Sequence, residues 1–201
     1  MAGTSSAATS PTANVRERII AAARAEFAAN GLRGSSVRSI GARAEVTAAM
    51  INYYYGSKLA LYDLVVEEAQ AKLFARVSDA LRGGARADLP ARLTAAYFDF
   101  LSEERDFQRL LLREVLDRGE GVPAFVHKYI APLRVLFEDL YGGGDDAFQT
   151  AVSLFGAVAG YFLYEPVLTE LAGEDVLAEN SLARRRQHVV ELATLLARGR
   201  G

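Results

Sequence analysis

Apolar residues recur along this chain at intervals of three and four rather than in alternation. Val15, Ile19, Ala23 and Phe27 fall on one helical face, and the segment ends at Asn30-Gly31, a C-terminal stop. Ser35-Ser36 offers an N-cap to a short helix from Val37 to about Ala44, in which Val37, Ile40 and Ala44 repeat the same spacing. Glu45-Val46 predicts a tight connection, and Thr47 caps a second short helix running to about Tyr53. Gly56 breaks that helix. Ser57 then caps a long one reaching about Leu81, where Gly83-Gly84 stops it. Further helices are predicted at 89–103, 106–117, 122–141, 145–171 and 181–198, divided by Asp, Gly and Pro. No alternating strand pattern competes over a useful length, so the predicted fold class is all-α.

Two short helices joined by a tight turn and backed by a longer helix make a helix-turn-helix. Such a unit buries little by itself, so the long helix that follows is expected to fasten it to a larger body. The predicted organisation is a disordered tail at 1–13, a helix-turn-helix domain at 14–58 and a helical domain at 59–201.

Composition narrows the partners. The chain has 201 residues and no cysteine, which excludes a disulfide framework and any thiolate metal site. Its start, MAGTSSAATSPTA, has neither a charged nor an apolar segment of a signal peptide. The longest apolar run, Ala151 to Tyr164, is interrupted by Ser153 and too short to span a bilayer. A cytoplasmic protein without membrane contact is expected. Residues 1–58 hold seven basic and three acidic residues, a net of +4, while the remainder holds 16 and 22, a net of −6. A basic end on an acidic body suits a polyanion docking at that end.

The stretch RERIIAAARAEFAANGLRGSSVRSIGARAEVTAAMINYYYGSKLALYDLV, residues 16–65, resembles the tetracycline-repressor (TetR) family of transcription regulators. The resemblance lies in the order of its parts: a helix ending in Phe-x-x-x-Gly, then Ser-Ser-Val-Arg-x-Ile, Ala-x-Val-Thr, an aromatic cluster and Gly-Ser-Lys. It implies a homodimer with an N-terminal three-helix DNA-binding domain and a larger C-terminal helical domain that dimerises and binds a small effector. The sequence departs from the usual pattern at Glu45, where glycine is frequent, so the turn is not expected to need positive φ. Gly41 replaces a usual alanine, at some expected cost in helix stability.

Under this resemblance the second short helix lies in the major groove of double-stranded DNA with its first residues nearest the bases. Ala48 and Ala49 permit close approach and suit a thymine methyl, and Asn52 can bond adenine N6 and N7 if it faces the groove. Arg38 stands where the family places a base-contacting arginine; phosphate contact or plain solvation is the alternative. Tyr54 matches a family position that reaches a phosphate, and Tyr53 faces groove or backbone. Tyr55 is expected to pack, with its hydroxyl at the edge. Lys58 at a helix start, with the caps Ser36 and Thr47, completes the expected phosphate contacts.

The second domain offers an aromatic-rich interior. Phe100, Phe125, Tyr129 and Phe162, with Arg113, are the candidate effector-pocket residues; the alternative for most is simply core. His127 lies near the same apolar runs and could orient an effector; the alternative is an exposed or hydrogen-bonded histidine. Gly156 and Gly160, four residues apart, suit a close subunit contact with the 181–198 helix, and Arg184–Arg186 suit a salt-bridged rim. No catalytic residues, metal ligands or cofactor are expected: the chain lacks His-Glu-x-x-His, Gly-x-Ser-x-Gly and Gly-x-x-x-x-Gly-Lys. The expected function is a ligand-responsive repressor released from a palindromic operator by a small apolar or amphipathic effector. The alternatives are a dimeric architectural or adaptor protein without an effector and, last, an all-α enzyme.

Overall fold

The computed structural model describes residues 11–110, 131, 134–135, 138 and 144–198. Every regular element among them is helical. The chain divides into two compact units, Met1–Glu67 and Glu68–Gly201.

In the first unit, α1 (Pro11–Gly34) begins inside the expected tail and breaks at Gly31, whose φ of 68° and ψ of 176° leave the helical region. Its Ile19, Ala23 and Phe27 are fully buried. The short helices follow at α2 (Val37–Ala44) and α3 (Ala48–Tyr55), and α4 (Lys58–Arg82) begins in this unit. Ile40, Ile51, Leu61 and Val65 are fully buried with them, and Phe27 meets Tyr62 edge-on with ring centroids 5.0 Å apart. Glu26 is also buried; its carboxylate accepts from Asn30 at 3.0 Å and pairs with Arg43 at 3.7 Å. The interior charge therefore has partners, as burial requires.

The α2–α3 turn corrects two expectations. Glu45 does take the left-handed conformation (φ 55°, ψ 44°), and its N–H caps α2 on the carbonyl of Gly41. Arg18 of α1 donates to the Glu45 carbonyl at 3.3 Å, so a long-range contact helps hold a conformation that a local reading disfavours. Gly41 is no mere helix defect. A Cβ there would lie 2.8 Å from the Val46 carbonyl oxygen, so its absence is what lets the turn close over α2.

The second unit contains the rest of α4, a short 3₁₀ turn (Arg86–Asp88), α5 (Leu89–Glu103), α6 (Gly144–Leu163), α7 (Glu165–Ala172) and α8 (Glu179–Arg198). α5 packs chiefly on α8 and also on α6. Ala69, Phe98, Phe100, Leu101, Phe107, Val158, Phe162 and Val189 form the main buried cluster. The single helix expected over 145–171 is two: α6 and α7 meet at a 75° bend around Tyr164, with Pro166 in the first turn of α7. A proline in a first turn has no intrahelical N–H bond to lose, so position 166 suits the start of a new helix better than the interior of a continuous one. The helices expected at 106–117 and 122–141 lie largely outside the described residues.

The three consecutive arginines of α8 are all engaged as a rim. Arg184 pairs with Glu174 at 2.6 Å, and Arg186 grips both oxygens of Asp99 at 2.7 and 2.8 Å. That bond to Asp99 holds the Arg186 guanidinium above even its ordinary high pKa. Arg185 donates to the Ala157 carbonyl and lies over the Tyr161 ring. No single helix among the described residues is long and apolar enough to cross a membrane.

Candidate nucleic-acid interface

Local sequence builds two adjacent helix N-termini. The Ser36 hydroxyl accepts from the Ser39 N–H at 2.9 Å, and Ser39 returns the bond to the Ser36 N–H at 3.1 Å, a reciprocal cap. Thr47 caps α3 through the Met50 N–H at 3.2 Å. The N–H of Ser36 itself is thus taken. The amides of Val37 and Arg38, and of Ala48 and Ala49, are the first-turn donors with no acceptor inside their helices. Both termini can receive an anionic oxygen, because their free N–H groups and partial positive charge point outward together.

Arg38 is exposed on α2, and its guanidinium makes no ion pair among the described residues. Ala48, Ala49, Asn52 and Tyr53 occupy one exposed face of α3, opposite buried Ile51. Tyr53 is 84 % exposed, far more than a phenol ring needs for packing. An apolar ring, an amide and two small side chains on one narrow helical face can meet base edges and sugar-phosphate at close range.

The three tyrosines divide as follows. Tyr55 is half-buried, and its hydroxyl donates to the Arg16 carbonyl at 3.2 Å. Tyr54 is half-buried between Tyr53 (centroids 5.3 Å apart) and the Arg16 guanidinium, which lies 5.2 Å from its ring centre. Arg16 is the residue that the sequence pattern missed. It counted only as one more positive charge of the N-terminal segment, whereas it ties α1 to α3 through backbone and side chain at once. The only available signal was its place three residues before the apolar Ile19 face.

Lys58 lies at the start of α4, as the sequence places it. Its ammonium donates to the carbonyls of Leu32 and Ser35, both at 2.7 Å, in a part-buried position. That leaves one of its three N–H bonds.

The candidate residues of the second unit are only partly brought together. Phe100 and Phe162 lie in the same buried cluster, Phe100 edge-on to Phe107 (5.2 Å) and Phe162 against Phe98 (5.1 Å). Arg113, Phe125, Tyr129 and His127 lie outside the described residues. Phe100 also borders a cleft of about 320 Å³ with Lys72, Ala75, Arg76, Glu103 and Glu104. Gly156 is exposed, with nothing within 4 Å of where a Cβ would stand, while a Cβ at Gly160 would meet the Tyr164 ring at 3.8 Å, an ordinary contact. Around Gly156, Phe148, Val152 and Phe155 form an exposed apolar stripe on α6. Tyr97 stacks on Phe155 at 5.8 Å, and burial pushes its phenol pKa well above the ordinary value. Among the described residues no group of His, Asp or Glu is placed to hold a metal ion.

Residues 19–65 match the family described as bacterial regulatory proteins, tetR family. About nine tenths of the chain is similar in fold to solved transcriptional regulators. A TetR-like regulator from Rhodococcus sp. RHA1 superposes with a TM-score of 0.66 at 20 % identity, over 91 % of this chain and 93 % of that one. A regulator of the TerR/AcrR family from Aquifex aeolicus VF5 gives 0.67 at 18 % identity, over 90 % and 99 %. FadR from Bacillus subtilis, solved in complex with stearoyl-CoA, gives 0.64 at 16 % identity, over 89 % and 97 %. No curated protein sequence matches the chain.

Proposed function

We propose that this chain, whose residues 19–65 match the tetR family of bacterial regulatory proteins, is a cytoplasmic, ligand-responsive repressor that binds a palindromic operator as a homodimer. The observation that carries this reading is the exposed face formed by Arg38, Ala48, Ala49, Asn52 and Tyr53 beside two capped helix N-termini. Side chains suited to base edges and helix N-termini suited to phosphates thus come from the two short helices of one helix-turn-helix. Arg38, Ala48, Ala49 and Asn52 read bases; the first-turn amides that follow the Ser36 and Thr47 caps, with Tyr53 and Tyr54, position the backbone. Selection of bound fragments from random DNA tests this: enrichment of a two-fold symmetric sequence is expected, and recovery of unrelated fragments would overturn it.

Dimerisation is proposed through the stripe of Phe148, Val152 and Phe155 around Gly156, joined by exposed Leu195 of α8. Apolar side chains on neighbouring turns of one helix gain most from a matching copy. The effector is proposed to be a small apolar or amphipathic molecule held among the aromatic residues of the second unit. The stearoyl-CoA complex of FadR is support by fold likeness for such a molecule. An effector that favours one setting of α4 would lower operator affinity, and operator would lower effector affinity by the same factor. Close ring contacts among Phe98, Phe100, Phe107 and Phe162 favour a second reading, a constitutive dimeric DNA binder. Ligand affinity measured with and without operator separates the two: equal values leave the constitutive reading.

A further inference from the structure

The segment 31–36 is the path from α1 into α2, and it is held from two sides. From within, the Ser35 hydroxyl reaches the carbonyls of Gly31 at 2.6 Å and Glu26 at 3.2 Å. From outside, the Lys58 ammonium takes the carbonyls of Leu32 and Ser35, both at 2.7 Å. Ser35 is the residue immediately before the N-cap of α2. Its carbonyl cannot move without moving Ser36, and with it the direction in which α2 and Arg38 leave the turn.

Lys58 is also the first residue of α4, whose N-terminus is an unfavourable place for a cation. Ser57 already caps this helix through the Ala60 N–H at 3.1 Å, so the ammonium has no capping role there. What the position offers is two carbonyl oxygens of a glycine-rich connection, one at either end of residues 32–35. Two charge-assisted bonds to them pin the first turn of α4 to the connection.

We infer that Lys58 is a positioning residue: its ammonium clasps the carbonyls of Leu32 and Ser35 and thereby sets the angle at which α2 and α3 present their base-reading face. This inference rests on the DNA-binding reading for its consequence but not for its geometry. A lysine serving mainly as a phosphate ligand would keep its ammonium available, whereas two of its three N–H bonds are committed within the protein.

The test compares wild type with Lys58→Met, Lys58→Gln and Lys58→Arg, using the full-length chain and titrated active fraction below the melting temperature. Hydrogen exchange in the free protein is expected to quicken at residues 36–40 in Lys58→Met, less in Lys58→Gln, and to return towards wild type in Lys58→Arg. Unchanged exchange in Lys58→Met would overturn the clasp, whether or not the wild type binds DNA. On a selected operator, Lys58→Met is expected to lose about tenfold in affinity, the scale of one lost hydrogen bond, with Lys58→Arg restoring most of it. The preference for operator over random DNA should fall with it. The slope of log affinity against log salt should stay within about half a unit of wild type, since a lost phosphate contact lowers it by about 0.9 per site. A purely structural role would lower the melting temperature and leave the affinity of the folded molecules unchanged, which would overturn positioning. A drop of a full contact in the slope, with the preference for operator intact, would make Lys58 a phosphate ligand instead.

Discussion

A Cβ at Gly41 would stand 2.8 Å from the carbonyl oxygen of Val46, closer than a Cβ carbon tolerates. The first helix of the helix-turn-helix thus accepts the turn that follows it only because position 41 carries no side chain. Helix propensity alone predicts that Gly41→Ala stabilises α2 by about 1 kcal/mol. The contact with backbone, which cannot rotate aside, predicts the reverse: a loss of about 1–3 kcal/mol by overpacking. Urea denaturation of the variant decides the sign, and a gain in stability would refute the close-approach account.

Glu45 supplies the complementary case. It sits in the left-handed region, where a side chain costs on the order of 1 kcal/mol. Glu45→Gly removes that strain and keeps the carbonyl that Arg18 reaches. The expected result is a gain of up to about 1 kcal/mol in the same denaturation experiment, reduced by the greater freedom of glycine in the unfolded chain.

Phe155 is half exposed in the middle of the α6 stripe and stacks on Tyr97. Phe155→Asp places a charge where a second copy is proposed to sit. Burying it there would cost several kcal/mol, enough to shift a micromolar or nanomolar dimer to monomer. Sedimentation should show the monomer with unchanged helical content by circular dichroism; a dimer as stable as the wild type would place the interface elsewhere.

Local chemistry was legible in the sequence wherever it decided the structure. Ser36, Thr47 and Gly56 mark the ends of α2 and α3 because capping and chain reversal depend on residues within four positions of each other. The roles of Ala48, Ala49 and Asn52 came from the family resemblance, and these residues share the exposed face of α3 opposite buried Ile51. What the sequence concealed is contact across the fold. The conformation of Glu45 leans on Arg18, 27 positions away; the setting of Tyr54 and Tyr55 leans on Arg16; and the ammonium of Lys58 turns inward to Leu32 and Ser35. The bend at Tyr164 was hidden differently, because an unbroken apolar period runs through Pro166 and only the proline marks the corner.

The central claim is that the face of α2 and α3 reads DNA sequence, and the exposed amide of Asn52 is its sharpest instrument. The most direct measurement is the affinity of wild type and Asn52→Ala for the selected operator and for each single-base change within one half-site. The account predicts that Asn52→Ala loses about 1–3 kcal/mol per half-site on the operator and loses its discrimination at one base pair, with the salt slope unchanged. Equal losses on every sequence, or no loss at all, would contradict it.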